Sequence, residues 1–380
     1  MIFRIIPRVK PKTCRICGRE SILISDIIGV CVDCLREDKE AVEVAMVGHE
    51  RSRRFYGLPV EPPNDPKGAE CRICANRCRI PEGGKGFCGL VKNEGGKLVR
   101  LAGTPKKGLL EWYYDPLPTN CVADWTCPGC KGIGYPKWAY TDGPEIGYKN
   151  LAVFYGACNL DCLFCQNWHY REMASNPRKF ISARELANAV NDKVSCVCYF
   201  GGDPGPQIIH ALASSRIMIE ENKDRILRIC WESNGLMNPD ILDKAVELSL
   251  ISGGNFKFDI KAWNPNIYKA LTGVSNKYLF SNIKRAAKRI GERREVPLIV
   301  ASTLLVPGYV DEIEVEMIAG FLADIDPTIP YRLLAFHPDY LMNDLPPTSK
   351  NHMLKCLEAA KRQGLENISI GNPWLLGNHY

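Results

Sequence analysis

Three cysteines within one short segment are spaced to bind an iron–sulfur cluster incompletely. Cys158, Cys162 and Cys165 follow an apolar run in the pattern Cys-x3-Cys-x2-Cys. A cubane 4Fe–4S cluster ordinarily takes four thiolates, so three from one loop leave one iron without a protein ligand. That iron could chelate a small molecule through an amine and a carboxylate. Taken alone, the three cysteines also fit a zinc site or a ferredoxin-type cluster whose fourth ligand lies elsewhere.

S-adenosylmethionine (SAM) carries an amine and a carboxylate on the same carbon. Bound to a 4Fe–4S cluster, it is a known source of radical chemistry. The spacing of the three cysteines therefore favours a radical reaction that begins with the reductive cleavage of SAM.

A glycine-rich motif follows the next apolar run. Gly201, Gly202 and Asp203 precede a proline. Glycine has no Cβ, so it lets the main chain approach a ligand closely, and the carboxylate could accept a hydrogen bond from an amine. A lone motif of this composition is also typical of a simple turn.

Two further apolar runs end in oxygen-bearing side chains. The first ends at Glu232, Ser233 and Asn234, and the second at Asp259 and Lys261. Such side chains at the ends of apolar runs are candidates for binding a ligand. The alternative for Asp259 and Lys261 is an ion pair with each other, because residues i and i+2 share a strand face.

The elements that must position these motifs alternate in type along the second half of the chain. Apolar runs are separated by amphipathic stretches of helical period, several of which open with a capping residue: Ser182, Asn238, Asp311 and Ser349. Alternating strands and helices indicate a parallel sheet with helices outside it. Six repeats predict a partial or complete β/α barrel, in which chemistry lies at the carboxyl ends of the strands.

Four N-terminal cysteines form two knuckles. Cys14 and Cys17 make one Cys-x2-Cys pair, and Cys31 and Cys34 make another, with thirteen residues between the pairs. Four thiolates in this layout predict a closed tetrahedral zinc site, whose expected role is to stabilise the fold. A rubredoxin-like iron site is the alternative.

Seven more cysteines lie between these knuckles and the barrel. One set has four members and another has three, and spacing does not distinguish zinc from an auxiliary Fe–S cluster for either. The two sets are Cys71, Cys74, Cys78 and Cys88, and then Cys121, Cys127 and Cys130.

The remaining composition is that of an ordinary globular protein. Of 18 cysteines in 380 residues, only Cys196, Cys198, Cys230 and Cys356 stand outside the clusters, and we expect them to be buried small hydrophobes. The N-terminal residues do not have the layout of a signal peptide, so we expect a cytoplasmic location, and in such a reducing compartment clustered thiols are metal ligands more often than disulfides. The net charge of +6 does not suggest binding to nucleic acid, and no apolar run predicts a membrane span. A basic stretch at 51–54 is expected on a solvated helix face.

The cysteine motif, with an aromatic residue before the third cysteine, resembles the radical SAM superfamily. The motifs at 201–204, 232–235 and 258–261 are similar to those of glycyl-radical activating enzymes, especially the pyruvate formate-lyase activating type. The resemblance extends over residues 70–373 and is closest to the radical SAM proteins of the AmmeMemoRadiSam system. It implies an α/β fold, a partial (β/α)6 radical SAM barrel with a Cys-rich, metal-binding N-terminal region.

The resemblance also implies roles for the strand-end residues. The backbone and acid of the Gly201-Gly202-Asp203 motif would bind SAM. Glu232, Ser233 and Asp259 would bind a monovalent cation beside the SAM carboxylate, with Asn234 beside them and Lys261 close to SAM. His337, after the sixth strand, would face the active site as a proton donor or positioning group. A structural histidine that caps the barrel is the alternative for His337.

The predicted organisation has four regions. They are a zinc-ribbon-like module at 1–36, a helix and linker at 37–69, a Cys-rich metal-binding region at 70–148 and the barrel at 149–380.

The predicted reaction is hydrogen abstraction by a 5′-deoxyadenosyl radical. The expected electron donor is a flavodoxin or ferredoxin, because cleavage of a sulfonium requires a low-potential cluster. A protein that receives a glycyl radical is the first candidate substrate. The alternatives are a small molecule or peptide modified with help from an auxiliary cluster, and a scaffold or electron carrier without catalysis.

Overall fold

A nine-stranded sheet forms the centre of the protein. The computed structural model describes residues 10–380; residues 1–9, which the sequence assigns to the N-terminal module, lie outside the described residues. The strands of the central sheet are β7 (Gly108–Pro116), β8 (Lys149–Tyr155), β9 (Phe180–Ile181), β10 (Val194–Gly201), β11 (Arg228–Ser233), β12 (Phe256–Asp259), β13 (Ile299–Leu305), β14 (Tyr331–Ala335) and β15 (Ile368–Gly371).

Seven of these strands run parallel and in chain order. The spatial order is β15-β14-β13-β12-β11-β10-β8-β7-β9, and β8 and β10 to β15 pair in parallel. Strand β7 pairs antiparallel with β8, and β9 pairs with β7 at the edge. Residues at or just after the carboxyl end of each parallel strand line one cavity, so the sheet curves around it as a partial barrel.

Helices connect the parallel strands, as a parallel sheet requires. They are α4 (Tyr170–Ser175), α5 (Ala183–Ala187), α6 (Ile208–Glu221), α7 (Pro239–Ser252), α8 (Pro265–Thr272), α9 (Leu279–Ala287), α10 (Glu312–Ile325) and α11 (Lys350–Arg362). The four caps predicted from the sequence begin α5, α7, α10 and α11, where each side chain accepts a hydrogen bond from a free backbone amide of the first turn.

The region before the barrel consists of short elements. They are β1 (Lys12–Thr13), β2 (Glu20–Ser21), α1 (Val32–Glu37), α2 (Lys39–Phe55), β3 (Ala69–Glu70), β4 (Arg79–Ile80), β5 (Val91–Glu94), β6 (Lys97–Arg100) and α3 (Pro128–Lys131). Strands β1–β2, β3–β4 and β5–β6 form three antiparallel pairs outside the central sheet. Because this region has little regular structure, its conformation depends largely on its loops and on packing against the barrel.

The N-terminal module and helix α2 pack against the barrel. Lys12 Nζ lies 2.8 Å from a carboxylate oxygen of Asp344, and the backbone amide of Ser25 donates to the hydroxyl of Tyr309 over 2.9 Å. The prediction that the basic stretch at 51–54 lies on a solvated helix face is wrong for Arg53. Arg53 is fully buried, and its guanidinium lies 3.9 Å from the ring centroid of Phe87.

The α/β fold with a Cys-rich N-terminal region is confirmed. The six predicted strands are present, and the sheet also contains β15 and the antiparallel β7, which were not predicted. The predicted boundary at residue 149 separates β7 from β8, although the two strands pair in one sheet. Among residues 10–380, no helix combines the length and apolarity needed to cross a membrane.

Candidate active site

The candidate site is a cavity of about 360 Å³ at the carboxyl ends of the strands. Every parallel strand contributes to its wall, either at its last residues or in the loop that follows. The lining includes Cys158, Asp203, Glu232, Asp259, Leu304, Leu334 and Gly371. The cavity is of the size that binds small molecules and cofactors in proteins.

Cys158, Cys162 and Cys165 lie together on the wall of this cavity. Cys158 and Cys162 are buried, and burial raises the pKa of Cys162 to about 12, although the charge of Lys261 opposes the shift. The three sulfur atoms do not all lie within 4.8 Å of one another. A single metal ion would need all three sulfurs close together, whereas in a cubane cluster each thiolate binds a different iron.

Asp161, within the cysteine loop, anchors this loop to neighbouring elements. Its carboxylate accepts a hydrogen bond from Ser52 over 2.9 Å, lies 3.0 Å from Nδ1 of His49 and pairs with the buried guanidinium of Arg171. Arg171 also donates to the carbonyl of Cys162 over 3.0 Å. Burial opposes ionisation, but Arg171 and His49 hold the pKa of Asp161 below its usual range.

Two glycines bring the end of β10 against the cysteine loop. Gly201 has φ of +114°, which side chains rarely allow. A Cβ on Gly202 would lie 2.3 Å from the carbonyl oxygen of Ala157, immediately before Cys158. Only glycine therefore permits the close approach between these two cavity-lining segments.

Asp203 connects the residues that follow β10 with those at the end of β11. Its carboxylate accepts hydrogen bonds from the backbone amides of Gly205 over 2.7 Å and Asn234 over 2.8 Å, and from the Ser233 hydroxyl over 3.0 Å. Burial raises the pKa of Asp203 to about 6 against the effect of these donors. Asn234 in turn donates to Asn159, in the cysteine loop, over 2.7 Å.

Asp259 and Lys261 pair with each other, which was the alternative weighed from the sequence. Burial favours the neutral amine, but the charges of Asp259 and Cys162 raise the pKa of Lys261 above its usual value. One carboxylate oxygen of Asp259, Oδ1, is buried and has no hydrogen-bond partner. An acceptor in this state is available to a cation or a ligand donor. Glu232 lines the same cavity.

The structure places His337 outside the cavity. Its side chain is 51% exposed and lies 3.8 Å from the carboxylate of Asp339. It is not among the cavity-lining residues, so the described geometry does not bring His337 to the other candidate residues.

Several residues of the site were missed from the sequence, among them Arg171, Arg332 and Asn372. Arg171 supports the cysteine loop, and Arg332 and Asn372 line the cavity. Arg332 donates to the carboxylate of Asp124 over 2.6 Å and keeps a buried Nε without a partner. Asn372 follows β15 directly, so the alternating segment at 368–370, followed by Gly371, was the signal that could have revealed it.

The four N-terminal cysteines form a compact group. Sγ of Cys14 lies 3.8 Å from Sγ of Cys34, and Sγ of Cys17 lies 3.7 Å from Sγ of Cys31. A tetrahedral ion with Zn–S bonds of about 2.3 Å separates its sulfurs by roughly 3.8 Å. The ligand atoms of all four residues lie within 4.8 Å of one another, so the group could hold one metal ion.

The other two cysteine sets are more widely spaced. Within residues 10–380, only the N-terminal group brings three or more ligand atoms within 4.8 Å of one another. The set of four nevertheless surrounds one small cavity, lined by Cys71, Cys74, Cys78 and Cys88. The set of three lines a second cavity beside the main one, described below.

Comparison with known proteins finds a family model that matches part of the chain. Residues 152–322 match the family model described as the radical SAM superfamily. The chain contains a radical SAM domain. The resemblance to this superfamily seen in the sequence is therefore confirmed, and the matched residues include the three cysteines and the strand ends from β10 to β13.

Two relatives from Methanocaldococcus jannaschii are similar over longer stretches. An uncharacterized protein is 27% identical over 325 residues, which cover 81% of this chain and 82% of the relative. A protein provisionally named a glycyl-radical enzyme activating enzyme is 28% identical over 232 residues, which cover 59% of this chain and 81% of the relative.

Solved structures of radical SAM proteins match more weakly. A radical SAM methyltransferase from Sphaerobacter thermophilus aligns with a TM-score of 0.44 at 14% identity, covering 59% of this chain and 66% of that one. A domain of a pyruvate-formate lyase-activating enzyme from Bacteroides vulgatus aligns with a TM-score of 0.35 at 20% identity, covering 46% of this chain and 98% of that one.

Proposed function

We propose that this protein cleaves SAM reductively and uses the resulting radical to abstract hydrogen from a protein substrate. The observation that carries the proposal is the convergence of three cysteines and eight other predicted ligand-binding residues on one cavity. Those eight are Gly201, Gly202, Asp203, Glu232, Ser233, Asn234, Asp259 and Lys261. The radical SAM domain supports the same chemistry.

The residues present fit a 4Fe–4S cluster. Cys158, Cys162 and Cys165 supply three thiolates at a separation too wide for one ion, and the cations Lys261 and Arg171 lie nearby to balance negative charge. When bound, a reduced cluster supplies the electron that breaks the S–C5′ bond of SAM, leaving methionine and a 5′-deoxyadenosyl radical.

The residues of the chain then have separate tasks. Gly202 allows the backbone to approach SAM, and Asp203, held by three donors, would accept from its amino group. Asp259 would offer its free oxygen to a monovalent cation or to a ligand donor, and Lys261 would attract the SAM carboxylate. The wall of the cavity must also exclude water from the reactive centre.

A protein substrate that receives a glycyl radical is the proposed target. The relative provisionally named a glycyl-radical enzyme activating enzyme supports this choice, as does the presence of Glu232, Asp259 and Lys261 on one cavity. A flavodoxin or ferredoxin is the proposed electron donor. We propose zinc for the compact N-terminal group and, because of its wider spacing, an Fe–S cluster for the Cys71 set.

The test is a SAM cleavage assay on anaerobically reconstituted protein. With dithionite, we expect methionine and 5′-deoxyadenosine from the wild type and from Cys356→Ala, whose buried thiol lies outside all the clusters. We expect neither product from Cys162→Ala. Equal cleavage by wild type and Cys162→Ala would contradict the proposal, and a glycyl-radical doublet in the EPR spectrum of a candidate partner would identify the substrate class.

A second candidate is modification of a small molecule or peptide with help from another cluster. The observation that favours it is a Cys-lined cavity that shares Asn120, Cys121, Phe200 and Glu232 with the main one. Product formation from a peptide substrate, lost on removal of that second cluster alone, would distinguish this candidate from the first.

A further inference from the structure

Six cysteines surround a second cavity inside the barrel. Its volume is about 130 Å³, several times the roughly 10–15 Å³ that one water molecule needs. Three of the cysteines come from the loop before β8, and three come from strands β10 and β11. They are Cys121, Cys127 and Cys130 from the loop and Cys196, Cys198 and Cys230 from the strands.

The strand register explains how distant cysteines meet. Cys198 on β10 is the pairing partner of Cys230 on β11, and Cys196 shares the face of Cys198 because side chains alternate along a strand. Lys257 on β12 pairs with Glu232, two residues beyond Cys230, and therefore lies on the same inward face. The sequence prediction treated the three strand cysteines as ordinary apolar side chains, but they face this cavity.

Lys257 gives independent evidence that the cavity is built for negative charge. The residue is 1% exposed. The hydrogen-bond acceptors found for its Nζ within residues 10–380 are two sulfur atoms, Cys121 Sγ at 3.1 Å and Cys198 Sγ at 3.0 Å. A buried ammonium is costly without an anionic partner. The charge of Glu232, which lines the same cavity, favours the ammonium, but the hydrogen bonds of Nζ go to the two sulfurs. Neutral thiols compensate the charge poorly, whereas metal-bound thiolates would compensate it by direct contact.

The other buried cation of this layer already has a carboxylate. Arg228 makes two hydrogen bonds to Glu145, at 2.7 Å and 2.5 Å. The Glu145 carboxylate therefore balances the charge of Arg228, whereas Lys257 donates its hydrogen bonds to sulfur atoms. The contrast between the two cations indicates that the thiol side of the cavity carries the compensating negative charge.

The arrangement of the sulfurs argues against a single metal ion held by several of them. No three of the six sulfurs lie within 4.8 Å of one another, unlike the compact N-terminal group. One ion could not reach several of them without rearrangement, whereas a cluster presents a different iron to each thiolate. The same wide spacing occurs in the radical SAM motif of this chain.

We propose that the cavity binds a second Fe–S cluster, held by Cys121 and other loop cysteines together with Cys198 and other strand cysteines. Lys257 contacts the bound thiolates and balances their charge. Because Cys121 lines both cavities, the second cluster lies next to the SAM site. The proposal concerns metal binding alone, so it does not depend on the substrate proposed above.

The test compares metal content and EPR spectra of the anaerobically reconstituted full-length chain. We expect Cys127→Ala combined with Cys198→Ala, two residues that line the second cavity and not the main one, to lose about four irons per chain, the content of one cubane. The EPR change produced by SAM at the other cluster should persist in this variant. Cys356→Ala is the matched control for loss of a buried thiol and should lose no iron. Conversely, loss of Cys158, Cys162 and Cys165 should abolish the response to SAM and leave the second cluster.

Equal iron content in the wild type and the double variant would overturn the proposal, and so would one zinc ion lost in place of iron. Lys257→Met provides a test that does not remove a ligand. Loss of the positive charge should shift the midpoint potential of one EPR signal to more negative values and leave the SAM-responsive signal unchanged. If no signal shifts, Lys257 does not face a cluster and the proposal fails.

Discussion

Nδ1 of His49, in helix α2, lies 3.0 Å from Oδ2 of Asp161, in the loop that carries the three barrel cysteines. Both side chains are fully buried. A helix that precedes the barrel by about a hundred residues therefore contacts the support of the proposed cluster directly. This contact makes the N-terminal region part of the active-site scaffold.

Asp161→Asn is expected to destabilise the protein by about 3–5 kcal/mol, because it leaves the buried charge of Arg171 without its partner. Chemical denaturation of the metal-free protein measures the free energy of unfolding. Asp324→Asn, an exposed substitution on α10, should change it little. A loss below 1 kcal/mol in Asp161→Asn would show that Arg171 is compensated in another way.

Gly202→Ala is expected to prevent the close approach of β10 to the cysteine loop, because the new Cβ would meet the Ala157 carbonyl. Iron retention at the SAM-responsive cluster and SAM affinity should both fall by at least about tenfold, the effect of 1.4 kcal/mol. Gly291→Ala, whose Cβ would meet no atom within 4 Å, is the control. Normal SAM binding by Gly202→Ala would show that the loop can move away at little cost.

His210 is expected to make stability depend on pH. Burial lowers the pKa of His210 to about 4, and Nδ1 lies 2.8 Å from the Tyr155 hydroxyl while Nε2 lies 2.9 Å from the carbonyl of Ile181. The unfolded chain binds the proton more tightly, so stability is fully present above pH 6.5 and falls as the pH drops toward 4, by up to roughly 3 kcal/mol.

The comparison for this prediction is His210→Gln, which can keep both hydrogen bonds but does not titrate. The difference in unfolding free energy between wild type and variant should change with pH only below about 6.5, near the ordinary pKa of histidine. A constant difference from pH 7 to pH 4 would mean that His210 titrates normally in the folded protein.

Cys34→Ser is expected to remove one zinc ion per chain and to destabilise the N-terminal module, because a structural site depends on all four ligands. Limited proteolysis should then cut within residues 10–37, while the SAM-responsive EPR signal remains. Cys356→Ser should keep its zinc. Unchanged zinc content in Cys34→Ser would contradict the assignment of the four-thiol site.

The sequence was most informative where ligands lie close together along the chain. The spacing of Cys158, Cys162 and Cys165, and the separation of the two N-terminal knuckles, predict metal-binding groups before any fold is known. Strand ends from β10 to β14 could also be predicted, since alternating strands and helices bring them to one edge.

Features that depend on distant contacts could not be predicted. The partners of Asp161 come from α2 and α4, and neither spacing nor composition connects them. Cys198 and Cys230 look like strand core in the sequence, and only the register of β10, β11 and β12 aligns them with Lys257. Strand β15 was missed because it has only four residues, two of which are not hydrophobic. His337 was expected to line the cavity, but its side chain does not reach it.

The most direct test of the central claim is the coordination of SAM at the cluster held by Cys158, Cys162 and Cys165. Reduced protein should be examined by electron–nuclear double resonance with SAM labelled at its amino nitrogen and its carboxylate oxygens. The account predicts magnetic coupling from both groups to the cluster, and loss of both couplings in Cys162→Ala. A cluster whose iron atoms are all ligated by protein side chains, with no coupling to either label, would contradict it.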